Sequence, residues 1–334
     1  MTTEHPVPQP VLEALRSARR VLIVSHVRPD GDAMGSCLAL AWLLRSQGAD
    51  ALVYNADGLP GFLNFMPLPC PVLNSLDQLP CAPDLVAVLD CGEAARAGSA
   101  IASMLKHVPC VNIDHHPGNP QFGTAGNWVD PAMSSTGEMI ALIAKSMSEP
   151  LAGALAQSLY VSIATDTGNF THGNTTPQAL RLTAEMRERG LDISRLHDRL
   201  ENNWSATRYR LWARLMQETR ILEEGRLAVA LITVEMLNEY GASGEDAEGF
   251  VDQLRRLAGV RVVLLLKESQ KDGAIRTKAS LRSSGSDDVR AVAVQFGGGG
   301  HRNAAGTELA MDAERTLTVM LPYIRFVWNR VQSA

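Results

Sequence analysis

Short apolar runs that stop abruptly at histidine or aspartate recur along the first half of the chain. Val21 to Val24 is apolar and mostly β-branched, the pattern of a buried parallel strand. It gives way to His26, Asp30 and Asp32, after which Ala33 to Gln47 has the apolar spacing of a helix stopped by Gly48. Ala51 to Tyr54 predicts a second strand. Asp84 to Asp90 predicts another, ending in Asp90, and Cys110 to Ile113 predicts one that ends in Asp114, His115 and His116. Residues 55 to 83 carry Pro60, Pro67, Pro69, Pro71, Pro80 and Pro83 and predict irregular structure over the sheet's edge. Helices are expected over Val11 to Arg20, residues 93 to 106, Thr136 to Ser148, Ala152 to Thr165 and Pro177 to Arg189. The last is capped by Thr176 and closed by Gly190. Residues 1 to 10 read as a loose tail.

The pattern changes further along. Residues 192 to 221 are helical, charged and poor in glycine, which suits a connector. Beyond Arg226 come a strand over Leu227 to Thr233, a helix over Asp246 to Ala258, strands over Val260 to Lys267 and Ile275 to Ser283, and a helix over Val289 to Phe296. The whole predicts an α/β chain of two domains. A parallel-sheet domain of the doubly wound, Rossmann-like kind covers 11–190, a helical connector 191–225, and a smaller α/β domain 226–334.

Composition narrows this picture. The 334 residues are 46% hydrophobic, ample for buried cores. A net charge of -5 gives no basic footprint for long duplex nucleic acid, although phosphate substrates remain compatible where metals supply positive charge. Five cysteines without a C-x-x-C spacing indicate neither a zinc ribbon nor a disulfide framework, and read as reduced thiols in a cytoplasmic protein. There is no leader-like N-terminus and no apolar stretch approaching about 18 residues, so no membrane association is expected.

In open α/β sheets, ligands bind at the carboxyl ends of the strands. His26, Asp30, Asp32, Asp90, His115 and Asp166 are all placed where one crevice could collect them. Carboxylates this close repel one another unless a cation sits between them. Four of them need about two divalent ions, and such a pair ~3.5 to 4 Å apart activates water and steadies an in-line phosphoryl displacement. Oxygen and imidazole ligands suit Mn²⁺, with Mg²⁺ or Co²⁺ as replacements. The plainer alternatives are Asp32 as a helix cap and Asp90 as a turn former. Adjacent histidines 115 and 116 should point to different faces, so that one meets a metal and the other orients substrate or is structural. His5, His107, His172 and His197 are left as surface or core residues.

The second domain has one unusual segment, Gly297-Gly298-Gly299-Gly300-His301-Arg302. Four glycines have no packing role and let main-chain N–H groups approach an anion, with His301 and Arg302 adding donors; a flexible linker is the alternative. Strand alternation puts Ser280 and Arg282 on one face, opposite Leu281. An arginine aimed at the glycines would clamp a phosphate, whereas a solvated strand arginine is the plain alternative.

These motifs carry a resemblance. His26-x-x-Pro29-Asp30-Gly31-Asp32-x-x-Gly35-Ser36, the isolated Asp90, Asp114-His115-His116 and Asp166-Thr167-Gly168 resemble the four successive motifs of the DHH phosphoesterase superfamily. The glycine segment with His301 resembles its associated C-terminal domain. Within the superfamily the chain is most similar to bacterial nanoRNases, oligoribonucleases that often also remove the 3′ phosphate of pAp (adenosine 3′,5′-bisphosphate). The resemblance implies one Mn²⁺ on His26, Asp30 and Asp90, and another on Asp32, Asp90, His115 and Asp166, with Asp90 bridging. It implies Asp114 behind the ligands and His116 near the scissile phosphate. The substrate's other end would fall to Ser280, Arg282, Gly298, Gly299, Gly300, His301 and Arg302. Expected substrates are short RNA oligonucleotides, pAp or linear dinucleotides such as pApA, with a homodimer left open. The rival readings are a phosphodiesterase restricted to linear dinucleotides, a manganese-dependent pyrophosphatase or exopolyphosphatase, and a non-catalytic nucleotide sensor.

Overall fold

The protein is described by a computed structural model covering residues 6–202, 204–271 and 273–331, with side chains through Phe326. Residues 1 to 5 of the expected tail, His5 among them, lie outside the described residues. Contacts divide the chain into two units, Met1–Asn203 and Trp204–Ala334.

The first unit runs α1 (Gln9–Ser17), β1 (Arg20–Val24), α2 (Gly31–Ser46), β2 (Asp50–Tyr54), β3 (Val72–Leu73), β4 (Leu85–Leu89), α3 (Ser99–Met104), β5 (Cys110–Asp114) and β6 (Gly126–Val129). It ends with α4 (Thr136–Ser146), α5 (Gly153–Asp166), α6 (Pro177–Glu188) and α7 (Ile193–Glu201). The strands pair in parallel in the order β3-β2-β1-β4-β5-β6. β1 lies between β2 and β4, so the strand order reverses there, which places the expected ligand crevice at the ends of β1 and β4. β4 and β5 are buried throughout, which is why they read as unbroken apolar runs.

Helix α2 is buried around most of its circumference and lies unusually close to α5. A Cβ on Gly31 would fall 2.4 Å from Thr165 Oγ1, and one on Gly35 would fall 2.9 Å from the Ser158 carbonyl. On α4, a Cβ on Gly137 would overlap Ser162. These glycines let three helices meet beneath the strand ends.

Several elements differ from the sequence pattern. The proline-rich stretch contributes the edge strand β3, and β6 was not anticipated, since only Trp128 of Gly126–Val129 is buried. The helix expected over 93 to 106 is a 3₁₀ turn, Ala94–Ala97, then α3, broken at Gly98 with φ of 97°. The segment expected as a connector is shared out by packing. Leu191 and Leu196 join the first unit's core, whereas Leu211, Trp212 and Leu215 join the second's.

The second unit runs α8 (Ala206–Glu218), β7 (Arg220–Leu222), β8 (Leu227–Ile232), α9 (Val234–Tyr240), α10 (Phe250–Leu254), β9 (Val262–Lys271) and β10 (Ala274–Ser283). It continues with α11 (Val289–Val294), β11 (Gly299–His301), β12 (Ala304–Leu309) and α12 (Ala313–Val331). Its sheet is mixed, in the order β11-β12-β10-β9-β8-β7, with β8 and β9 parallel and the other pairs antiparallel. One apolar cluster joins the sheet to α11 and α12, and another joins it to α8, α9 and α10. The sequence pattern does not show α9 or α12, and the long helix expected over Asp246 to Ala258 is a 3₁₀ turn followed by the short α10. No helix among the described residues is long and apolar enough to cross a membrane.

Candidate metal centre and substrate face

The loop leaving β1 is pinned before it presents any ligand. Asn55 donates its amide to Ser25 Oγ at 3.1 Å and to the His26 carbonyl at 2.9 Å, and the Arg28 N–H donates to Asp57 at 2.6 Å. His26 Nδ1 lies 2.9 Å from the Val27 carbonyl, which only accepts, so Nδ1 carries the hydrogen. Nε2 is thereby turned to the carboxylates, 3.5 Å from Asp90 Oδ2 and 3.9 Å from Asp30 Oδ2. Asp30 Oδ1 accepts the Ala33 N–H at 3.0 Å, so the cap of α2 is Asp30 and not Asp32.

Asp32 instead reaches the start of α4. Its Oδ2 accepts the Thr136 N–H at 2.8 Å and its Oδ1 the Gly137 N–H at 3.1 Å, while the Ser162 hydroxyl donates to Oδ1. Asp90 follows β4 with φ of 52°, a left-handed backbone held by its N–H to the Ile113 carbonyl at 3.1 Å. Thr136 Oγ1 donates to Asp90 Oδ1 at 3.3 Å.

His115 Nε2 faces three carboxylates, 3.5 Å from Asp32, 3.6 Å from Asp90 and 3.8 Å from Asp166. His116 Nδ1 lies 2.7 Å from Asp114 Oδ1 and 3.5 Å from Asp90 Oδ1. The expectation that the two histidines point to opposite faces therefore fails: β5 ends at Asp114, and past it strand alternation no longer applies. Asp114 is fully buried, and its Oδ2 accepts the Asn119 amide at 2.7 Å. Asp166 ends α5, and Asn174 donates to its Oδ2 at 3.0 Å and to the Ser134 carbonyl at 2.9 Å. His172, on the exposed loop that follows, places Nδ1 3.3 Å from the Asp166 carbonyl.

Three groups of side chains bring possible ligand atoms within 4.8 Å of one another: His26, Asp30 and Asp90; Asp32, His115 and Asp166; Asp90, His115 and His116. All six residues expected as metal ligands thus converge in the first unit. Thr136, Gly137, Ser162 and Asn174, which orient them, and Asn119, which holds Asp114, were missed. Ser135-x-x-Glu138 carried a signal, because it has the capping-box spelling: Ser135 Oγ accepts the Glu138 N–H at 3.1 Å.

Burial and mutual charge set the protonation of the cluster. Burial works against ionising Asp90, but hydrogen bonds from His115 and His26 outweigh it and hold the carboxyl well below its ordinary range. Burial, aided by Asp90, pushes Asp32 well up against the pull of His115. Burial also takes Asp166 up to about 6. For His115, burial lowers the pKa, yet the Asp90 hydrogen bond and the charges of Asp32 and Asp166 take it to about 10. At neutral pH a proton on His115 thus sits among the carboxylates of Asp32, Asp90 and Asp166.

In the second unit, Arg282 pairs with Ala304, which pairs with His301, so the three share one face of the sheet. Ser280, Gly306 and Gly299 form the neighbouring row of that face, and Leu281 is buried on the other. The glycines are not a loose loop. Gly299 and Gly300 lie in the edge strand β11, where a Cβ on Gly300 would meet the Ala304 carbonyl at 2.5 Å; one on Gly298 would meet the Gly306 carbonyl at 2.2 Å. Those two glycines do have a packing role, since only bare backbone lies this close to β12. Gly299 has open space beside it. Arg302 is not part of the row, and its guanidinium donates to the Ser286 carbonyl at 2.7 Å.

Comparison with known proteins follows the same division. The DHH family, N-terminal domain, matches residues 20–163, and the DHHA1 domain matches residues 225–320. The chain is 32% identical over 318 residues to the bifunctional oligoribonuclease and PAP phosphatase NrnA of Thermus thermophilus, covering 94% of this chain and 92% of that protein. This chain belongs to the DHH family. The Bacillus subtilis protein of the same name is 28% identical over 296 residues, covering 86% of this chain and 89% of that one. Among solved structures, an exopolyphosphatase-related protein from Bacteroides fragilis is similar with a TM-score of 0.87 and 25% identity, over 97% of this chain and 99% of that one. The DHH match contains every proposed ligand except Asp166, which lies three residues past its end, and the DHHA1 match contains the Arg282–His301 face.

Proposed function

We propose that this chain is a cytoplasmic, metal-dependent phosphoesterase that hydrolyses short oligoribonucleotides to mononucleotides and removes the 3′ phosphate of pAp. The observation that carries the reading is the double engagement of Asp90, whose Oδ2 faces His26 while its Oδ1 faces His115. One carboxylate placed between two ligand groups suits a pair of divalent ions, and relatives matched over most of the chain are named for these two activities.

The donor set fits Mn²⁺, or Mg²⁺ or Co²⁺ in its place: carboxylate oxygens in excess, and two imidazoles with Nε2 inward. His26, Asp30 and Asp90 would hold one ion, and Asp32, Asp90, His115 and Asp166 the other. When bound, the pair activates water and offsets the charge of the phosphate. The rest belongs to the chain. Asp114 fixes the hydrogen of His116 on Nδ1, leaving Nε2 to face the scissile phosphate as a donor when the ring is protonated. Ser280, Arg282 and His301, with the open backbone at Gly299, bind a second phosphate of the substrate.

The test is release of phosphate from pAp and of mononucleotide from a trinucleotide, before and after chelation with EDTA. Both activities should disappear on chelation and return with Mn²⁺. Turnover that persists in the chelated protein contradicts the proposal.

A further inference from the structure

A cavity of about 460 Å³ opens in the first unit, apart from the carboxylate cluster, lined among others by Phe65, Pro67, Gln157, Leu191, Arg195 and Arg199. It borders Gly153 at the start of α5, whereas Asp166 ends that helix after 14 residues, roughly 20 Å away at 1.5 Å per residue. Its volume falls within the range of small-molecule pockets, about 300–1,000 Å³.

The lining has two chemistries. Arg195 and Arg199 are exposed and four residues apart on α7, so they share one face of that helix. Asp192 also borders the cavity, but its Oδ1 is engaged as the cap of α7, accepting the Arg195 N–H at 3.1 Å. The half-buried Gln157 adds a neutral amide. The rest of the lining is apolar: Leu191 and Leu196 are buried in the core, and Phe65 packs half-buried against it. Gly153 and Gly190 leave bare backbone at the rim, since a Cβ on either would meet nothing within 4 Å. Two arginines on one helix face suit a phosphate, and an aromatic ring beside a proline suits a flat apolar group attached to it.

We propose that this cavity is a second nucleotide site, separate from the catalytic cluster, that takes a nucleoside monophosphate with its phosphate on Arg195 and Arg199 and its base against Phe65 and Pro67. The choice of a base-bearing phosphate rests on the nucleotide-hydrolase reading, because that reaction releases such compounds.

Calorimetric titration of the full chain in excess EDTA, with AMP, adenosine and inorganic phosphate as separate probes, tests the proposal without turnover. In the chain carrying Arg282→Ala and His301→Ala, which removes the phosphate contacts of the second unit, AMP should bind once per chain, and phosphate and adenosine at least about 10-fold more weakly. Arg195→Glu and Arg199→Glu should each weaken AMP by at least about 10-fold, with the fold checked by circular dichroism, while Asp90→Asn leaves AMP binding unchanged. Phe65→Ala should weaken AMP without affecting phosphate. No saturable AMP binding, binding that survives both arginine reversals, or binding lost in Asp90→Asn overturns the site. Inorganic phosphate binding as tightly as AMP overturns the nucleotide assignment. Since no turnover is involved, each of these results stands apart from the hydrolysis of pAp and RNA.

Discussion

His116 Nδ1 and Asp114 Oδ1 lie 2.7 Å apart, and the buried carboxylate is itself held by the Asn119 amide at 2.7 Å. The hydrogen bond from His116 does more than orient the ring, for it is the main influence raising the His116 pKa against burial.

Asp114→Asn should therefore lower kcat by about 10- to 100-fold while leaving the bound metal, measured by elemental analysis, unchanged. In the metal-free protein, NMR should show His116 losing its proton at a higher pH than an ordinary histidine, and the substitution should bring that pH down. An unaltered His116 titration in the variant would contradict the role given to Asp114.

Metal binding should release protons. With His115 taken to about 10 and Asp166 to about 6, the metal-free protein at neutral pH keeps a proton on His115 that an ion must displace. Affinity for Mn²⁺ should rise with pH, about tenfold per unit for each proton released, and fall more steeply below pH about 6, where Asp166 also binds a proton. Calorimetry in buffers of different ionisation enthalpy counts these protons. A pH-independent affinity is the contrary result.

In the proposed two-ion site, Asp90 is the ligand no neighbour can replace. Asp90→Asn should reduce turnover by at least about 1,000-fold and remove the rise in Tm that Mn²⁺ gives the unaltered protein, because loss of a shared ligand weakens both sites together. Far-ultraviolet circular dichroism should remain that of the folded chain. Near-normal activity at saturating Mn²⁺ would place the metals elsewhere.

The cluster of carboxylates and histidines was legible because parallel strands are buried on both faces, so each reads as a short apolar run, and the polar residues that end it mark one edge of the sheet. His26, Asp90 and His115 stand out for that reason. The bonds to Asp32 from Thr136, Gly137 and Ser162 were not legible, since they depend on helices brought together by Gly31, Gly35 and Gly137. Strand β6 escaped because Trp128 is its one buried side chain, too little for a period to show. The glycines at 298 and 300 misled in the other direction: composition suggests freedom, whereas their backbone lies hard against β12.

Arg282→Ala and His301→Ala should separate nucleotide substrates from a small generic diester such as bis-p-nitrophenyl phosphate. Loss of a charge-assisted phosphate contact costs roughly 1.5 to 3 kcal/mol, about 10- to 150-fold in kcat/KM. The generic diester carries no second phosphate to occupy this face, so its hydrolysis should fall only slightly. Equal losses on both substrates would mean that these residues support the fold instead.

The central claim is that one site, organised on Asp90, serves both pAp and short RNA. It is tested most directly by kcat/KM with Mn²⁺ on pAp, pApA, di- to pentanucleotide RNA and a thirty-nucleotide strand, for the unaltered chain and for Asp90→Asn. The account predicts turnover of pAp and of the short oligomers, poor cleavage of the long strand, and loss of every activity together in the variant. Activity confined to pApA, a long strand degraded as well as a trinucleotide, or pAp hydrolysis that survives without Asp90 would contradict it.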